Sequence, residues 1–504
     1  MKIIFSILFI LSSMIGGNLT KPMESIEMEN SVSYVEDNVN TYDLSSGVNE
    51  FTGSATALTL NNTTTAYFNY PSSKMYFSFV STEQQFVKLN YTGLNSKLYV
   101  YNSYYYSAND YLQYIPNVKT DIDIVYMDMN QTYIFEFTNI SSYGQMSITP
   151  QKLDINFVNH EKYILHIEYD TTSNLKHHYS VEYYDVSLTE AEDTPYNIYT
   201  NTSVATYIDL ISNDINFNYV NDDRRLVSQP GYSHYSAIAA VRSDTYYDGS
   251  SLHTQGYGTG TFIDETTVIS CAHMMYKKYK NLNGVITDTT LVDTLEFYPG
   301  ANSYPNKTNH CEEFGKYVGL DTYVPISYVL SSDKVPYDWS ITLTEQTIEG
   351  LYEHSYMGLI NFNATTYSGV ESAGYPCVSN NATGEYNLNY SMWTSYPTQN
   401  SITTNNNNIN ILESTDIVVS NGNSGGPLFV SYSSVVNGVV IKSAFILGIA
   451  DAILPKKNAD SNMREFVTMY ACRIRPIIIN IYEEVKWYEE IKIININIIL
   501  GTRL

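Results

Sequence analysis

Apolar and polar positions alternate in short runs through much of the first 215 residues. Lys74-Met75-Tyr76-Phe77-Ser78-Phe79-Val80, Phe86-Val87-Lys88-Leu89-Asn90-Tyr91 and Thr132-Tyr133-Ile134-Phe135-Glu136-Phe137 are examples, separated by Asn, Gly, Pro and Ser. Strands send successive side chains to opposite faces, so this pattern predicts half-buried strands. Many of them in succession predict a β-sandwich-like domain over about residues 25–215. The pattern changes at the two ends of the chain. Met1-Lys2 followed by the apolar run Ile3 to Ile15 and Gly16-Gly17 reads as a signal peptide, with cleavage near residues 17–24. That run is too short to span a bilayer, and no later segment is long and apolar enough, so no transmembrane segment is expected. Near the other end, Cys472 to Val485 follows a helical spacing, with Pro476 near its start, where a missing N–H costs least. Residues 486–504 read as a tail.

A short charged stretch, Asn221-Asp222-Asp223-Arg224-Arg225, precedes the apolar run Tyr235 to Val241. An exposed charged segment ahead of a strand predicts a domain boundary and a processing site at Arg224-Arg225. A second domain then covers residues 226–485, with Asn405 to Asn408 as a surface loop.

Composition narrows the function. The 504 residues include 49 tyrosines, with 43% hydrophobic and only 16% charged residues, which favours two or three β-rich domains. A formal net charge of −25 repels a phosphate backbone, so no nucleic-acid partner is expected, and it suits solubility outside the cell. The expectation is a secreted protein, extracellular or associated with the cell surface. Four cysteines, Cys271, Cys311, Cys377 and Cys472, could pair in three ways, and their wide spacing does not suit zinc. Asp121, Asp123 and Asp128 read as a solvated strand face, and His160, His166, His177 and His178 as surface histidines. Neither a metal nor an organic cofactor is expected.

Chemistry concentrates in three segments. Gly260 to His273 reads as strand, two-residue turn, strand and then a histidine; Tyr337-Asp338-Trp339-Ser340-Ile341 puts an aspartate ahead of an apolar strand. Gly422-Asn423-Ser424-Gly425-Gly426-Pro427-Leu428-Phe429 brackets a serine with glycines. A serine hydroxyl is a weak nucleophile that needs an imidazole as base, and the imidazole needs a buried carboxylate to fix its tautomer. The developing oxyanion needs fixed donors, and glycines 422 and 425 let the Gly422 and Ser424 amides converge. The order His273, Asp338, Ser424 is the chymotrypsin order, unlike that of subtilisin-like or α/β-hydrolase enzymes.

On these residues the second half resembles the chymotrypsin-like serine peptidases, and among them the secreted bacterial glutamyl endopeptidases. Phe297 to Pro305, containing Tyr298-Pro299-Gly300, and Ser372-Ala373-Gly374-Tyr375-Pro376 are similar to segments of that group. The resemblance implies an all-β fold of two six-stranded barrels with a C-terminal helix, His273 and Asp338 coming from the first barrel and Ser424 from the second. It implies a serine endopeptidase acting on protein or peptide substrates without a cofactor. Ser270-Cys271-Ala272-His273 departs from the family by placing cysteine before the histidine, so the usual disulfide there does not carry over. Ala450 stands where glutamate-selective members place a histidine, and Val418 where trypsin-like members place an aspartate. A specificity pocket of Val418, Val419, Ala450 and Asp451 implies an apolar preference, with Asp451 the one feature favouring a basic group. The N-terminal domain is either a propeptide or a retained domain that binds a surface. A competing account makes the whole chain a catalytically inert, protease-like binding protein or adhesin, since tyrosine supplies contact area at low entropic cost.

Overall fold

The computed structural model describes residues 40–41, 55–68, 72–93, 96–102, 113–115, 123–127, 129–139, 143–155, 157–169, 177–197, 207–208, 224–231, 233–246, 253–280, 286–302, 313–330, 334–361, 363–379, 386–388, 390–395, 401–436, 439–457 and 464–501. The expected signal peptide, Asp121, Asp128, Asn221 to Asp223 and Cys311 lie outside the described residues.

The alternating runs of the first region form two five-stranded sheets. One is ordered Asn40–Thr41, Thr64–Phe68, Gly144–Leu153, Gln85–Gly93, Ile124–Met127; the other Thr56–Ala57, Lys74–Ser81, Gln131–Asn139, Ser96–Asn102, Gln113–Ile115. Phe77, Leu98, Val100, Phe135 and Phe137 of the second close on Val87, Leu89, Met146 and Ile148 of the first in a single buried core. Each such burial contributes roughly 1.5–3 kcal/mol. This is the predicted sandwich.

From Ile238 the chain closes a six-stranded barrel. Ile238–Tyr246 pairs with His253–Phe262 and with Thr294–Pro299. His253–Phe262 pairs with Thr267–Ser270, which pairs with Ser340–Glu349. Gly315–Pro325 then joins Ser340–Glu349 to Thr294–Pro299 and completes the ring. A closed ring leaves no unpaired edge among its own strands.

One of those strands carries more than the ring requires. Tyr163–Tyr169 and His177–Tyr183 form a hairpin whose first strand pairs with Gly315–Pro325, from Ile164 opposite Pro325 to Glu168 opposite Asp321. Residues expected in the N-terminal domain therefore extend the barrel sheet. The hairpin sequence alternates like the sandwich strands, so nothing local marks which sheet it joins. His166 is no surface histidine: its Nδ1 lies 2.9 Å from Glu182 and its Nε2 2.9 Å from Asp321, with the ring stacked on Tyr323. His160 is also partly buried, its Nδ1 2.7 Å from the Ser327 hydroxyl. Asp123 is buried as well, accepting from the Tyr179 hydroxyl at 2.6 Å, where the expectation was a solvated face. Burial pushes its carboxyl up to about 6.

Burial opposes the His166 imidazolium, but the two carboxylates outweigh it and raise the ring to about 9. A histidine raised on folding stabilises fully below its unfolded value of about 6.5, and that contribution is lost as pH rises through about 9. In thermal unfolding followed across pH 6 to 10, His166→Gln is expected to unfold below wild type at pH 6, by a free energy on the order of 2–3 kcal/mol. The difference should shrink above pH 9. A pH-independent difference would remove the charged pair as its cause.

The second half is an eleven-stranded sheet among the described residues, running from Tyr207–Ile208 through Arg225–Val227, Trp393–Ser395, Glu371–Gly374, Pro427–Val436, Val439–Lys457 and Arg464–Arg473 to Ile411–Ser414, Ser401–Thr404 and Thr366–Ser368, with Gly358–Leu359 alongside. Tyr367 and Ile402, from its far end, share a core with Leu428, Leu447 and Met469, so the sheet curls on itself. The all-β double-barrel expectation holds. The terminal helix runs Pro476–Gly501, later and longer than expected: Cys472 still lies in the strand Arg464–Arg473, and the expected tail continues the helix. No glycine or proline interrupts the sequence between Pro476 and Gly501, so nothing stops it at 485. Ile477, Ile478, Ile481, Tyr482 and Val485 bury its first half in the main core. Among the described residues, no helix is long and apolar enough to cross a membrane.

Candidate active site

Strand register builds the first half of the site. Thr267–Ser270 and Ser340–Glu349 are antiparallel, with Ser270 opposite Ser340. The chain leaving the first and the chain entering the second therefore emerge at the same end of the barrel. Short 3₁₀ turns, Ala272–Met274 and Val335–Tyr337, carry His273 and deliver Asp338 there. Asp338 is 1% exposed. Its Oδ1 accepts the His273 backbone N–H at 2.8 Å, and its Oδ2 lies 2.6 Å from His273 Nδ1. This double grip keeps a proton on Nδ1 and the lone pair on Nε2. Cys472 and Arg475 both donate to the Pro336 carbonyl, at 3.3 and 2.9 Å, and hold the aspartate's turn.

A second carboxyl stands beside the first. Asp451, on the strand Val439–Lys457, lies 3.5 Å from His273 Nδ1 and beside Asp338. Two buried carboxyls in contact do not both ionise readily. Burial and the neighbouring Asp338 charge raise Asp451 well above the carboxylate range. Burial also pushes Asp338 up, but the His273 charge, the Asp451 carboxyl beside it and the hydrogen bonds from His273 outweigh it and keep Asp338 ionised. Burial lowers His273, and the Asp338 carboxylate overcomes this and raises the imidazole well above its usual range.

Ser424 sits on a turn that only glycines permit. Gly422 and Gly425 have φ of +92° and +83°, and a Cβ on Gly425 would come within 2.2 Å of the Ser270 hydroxyl and the Thr259 carbonyl. Gly425 therefore abuts the residues leading to His273. Its N–H donates to the Ala450 carbonyl at 2.8 Å, while the Ala450 N–H donates to the Gly426 carbonyl at 2.8 Å, which fastens the turn one residue from Asp451. The Ser424 carbonyl accepts the Thr259 N–H of the first barrel at 2.8 Å. The Asn423 amide is spent on the Ser420 carbonyl, but among the described residues neither the Gly422 nor the Ser424 amide has a protein acceptor.

The sequence-derived residues are thus partly brought together. His273, Asp338 and Asp451 touch, and Ser424 shares a small open pocket with Asp451, Val419 and Ala450. Among the described residues no hydrogen bond joins the Ser424 hydroxyl to His273, whose Nε2 lies 3.5 Å from the Cys271 thiol. Val418 does not line this pocket. Its N–H and carbonyl both bond the Ser395 hydroxyl, and its side chain is in the second core. Ser420, Asn421, Asn423 and Ile453 complete the pocket lining and were missed; the Ser-Asn-Gly-Asn run, rich in turn formers, was the available signal.

Cys271, Cys377 and Cys472 are free and buried, so none of these three pairs with another. Burial raises all three thiols, Cys377 to about 12, which makes them poor nucleophiles. Cys271, His273 and Asp338 bring ligand atoms within 4.8 Å of one another, as do His166, Glu168 and Asp321. In the first set the imidazole stands between thiol and carboxylate, and in the second both ring nitrogens already meet carboxylates.

No family model and no curated protein sequence matches the chain. Among solved structures, it is similar to a Glu endopeptidase in complex with MPD, at 17% identity and TM-score 0.35, over 53% of this chain and 99% of that one. It is similar to HL collagenase at 12% identity and TM-score 0.29, over 47% and 88%. A scabies mite inactivated protease paralogue, S-I1, gives 14% identity and TM-score 0.30, over 51% and 99%.

Proposed function

We propose that this chain is a secreted serine endopeptidase, cleaving protein or peptide substrates through an acyl-enzyme intermediate. The observation that carries the reading is the double grip of buried Asp338 on His273, at 2.8 and 2.6 Å, in one barrel end with a glycine-flanked serine whose turn has two unspent amides. In this scheme Ser424 Oγ attacks the scissile carbonyl carbon and its proton passes to His273 Nε2. The Gly422 and Ser424 amides receive the oxyanion, and the imidazolium then protonates the leaving amine. Water, deprotonated by the same imidazole, hydrolyses the ester and restores the serine. No organic cofactor takes part.

Val419, Ala450 and Ile453 give the side-chain pocket apolar walls beside the polar Ser420, Asn421 and Asn423. On those walls and the absence of a histidine at Ala450, the reading favours an apolar side chain. A fluorophosphonate probe should label the folded protein at Ser424, and a peptide library should be cut after apolar residues. Failure of the folded full-length chain to take the probe would defeat the proposal. That outcome is the one favoured by the inert binding-protein account, which draws on the missing Ser424–His273 hydrogen bond.

A further inference from the structure

Arg224 does not lie in the exposed charged segment that its sequence context predicts. It is 2% exposed, and its NH1 group donates to the Ser420 hydroxyl at 2.8 Å and to Asn423 Oδ1 at 3.0 Å. Asn423 Oδ1 also accepts the Ser420 N–H at 3.1 Å. The guanidinium thereby spans both ends of the turn that holds the Gly422 amide and leads into Ser424. Its backbone is fixed too. Arg225–Val227 pairs with Trp393–Ser395 on one side and with Tyr207–Ile208 on the other, and Leu226 and Val227 are buried.

A buried cation is costly unless its donors find acceptors in good geometry, and charge-assisted hydrogen bonds are about twice as strong as neutral ones. Two of its acceptors belong to the turn that aims the unspent amides. We infer that Arg224 is a positioning residue for the oxyanion-binding turn. The active form therefore keeps the chain intact through Arg224, and cleavage between Arg224 and Arg225 would inactivate the enzyme, not release it. This rests on the serine-peptidase reading. The segment before the first barrel becomes a working part of the site.

The test compares wild type, Arg224→Gln and Arg224→Lys in peptide turnover and fluorophosphonate labelling, with Ser424→Ala as the blank and circular dichroism as the check of folding. Arg224→Gln should lower kcat by about 10–100-fold with KM within about 3-fold, since a displaced oxyanion donor costs transition-state binding. Arg224→Lys, which keeps the charge but lacks the planar fork, should recover part of that loss. A folded Arg224→Gln protein that is labelled and turns over at the wild-type rate would overturn the inference. Should that variant not fold, N-terminal sequencing of the labelled wild-type species decides: a start upstream of Arg224 supports the inference, and a start at Arg225 ends it. A wild type that takes no label sinks the peptidase reading instead, and this inference with it.

Discussion

Ser424→Ala is expected to lower peptide turnover by about 10⁴–10⁶-fold while moving the thermal unfolding midpoint by no more than about 3 °C. The two halves of this result have separate causes. The turn is held by backbone bonds from Asn423, Gly425 and Gly426 and by the Ser424 carbonyl, all of which alanine keeps. The hydroxyl makes no hydrogen bond among the described residues, so its loss leaves no buried group unpaired. What alanine removes is the nucleophile alone. Steady-state kinetics beside a melting curve checks both halves, and a variant that digests peptides like wild type would refute the assignment of Ser424.

Asp338→Asn is the second large effect, a loss of roughly 10⁴-fold in kcat. The amide oxygen can still accept the His273 backbone N–H, so the turn should persist. The amide nitrogen facing Nδ1 would be a donor where the imidazole requires an acceptor, and the ring would shift its proton to Nε2, the atom that must act as base. The pH profile supplies an independent reading. Asp338 raises the imidazole above its usual range of about 6.5, and only neutral imidazole is a base. Wild-type activity should therefore be lost as pH falls through a value above 6.5, and the residual activity of Asp338→Asn should persist to lower pH. Unmoved acid limbs in the two profiles would show that His273 is not the titrating base.

Much of this site was legible because local chemistry announces it. His273 and Asp338 each stand next to a strand whose apolar run is plain in sequence, and Gly422 and Gly425 mark a turn that side chains would block. The alternating runs around Phe77, Leu89 and Phe135 gave away the sandwich because its two faces see different surroundings. What was hidden depends on partners distant in sequence. Arg224 finds its acceptors almost 200 residues away, and its exposed neighbour Arg225 has the same charge, so composition alone marks both as solvated. Val418 and Val419 are chemically alike and both belong to the second core, yet only Val419 also borders the pocket, while Val418 is tied at its backbone to Ser395. Asp451 was placed near the pocket mouth, but its approach to Asp338 is set by the fastening of Ala450 to Gly426.

The hairpin of Tyr163–Tyr169 and His177–Tyr183 has a consequence for how the molecule is assembled. It pairs with the barrel through Gly315–Pro325, while Tyr179 reaches Asp123 and stands under the Lys88 ammonium, both residues of the sandwich region. Phe86 and Ile124, from sandwich strands, belong to the same apolar cluster as the barrel interior. Such continuity predicts that the N-terminal region and the barrel unfold together, and a single calorimetric transition for the full-length chain is the expected result. Cutting the gene at the start of the first barrel would leave the Asp321–Pro325 end of that strand without its outer partner, an exposed edge open to pairing with another chain.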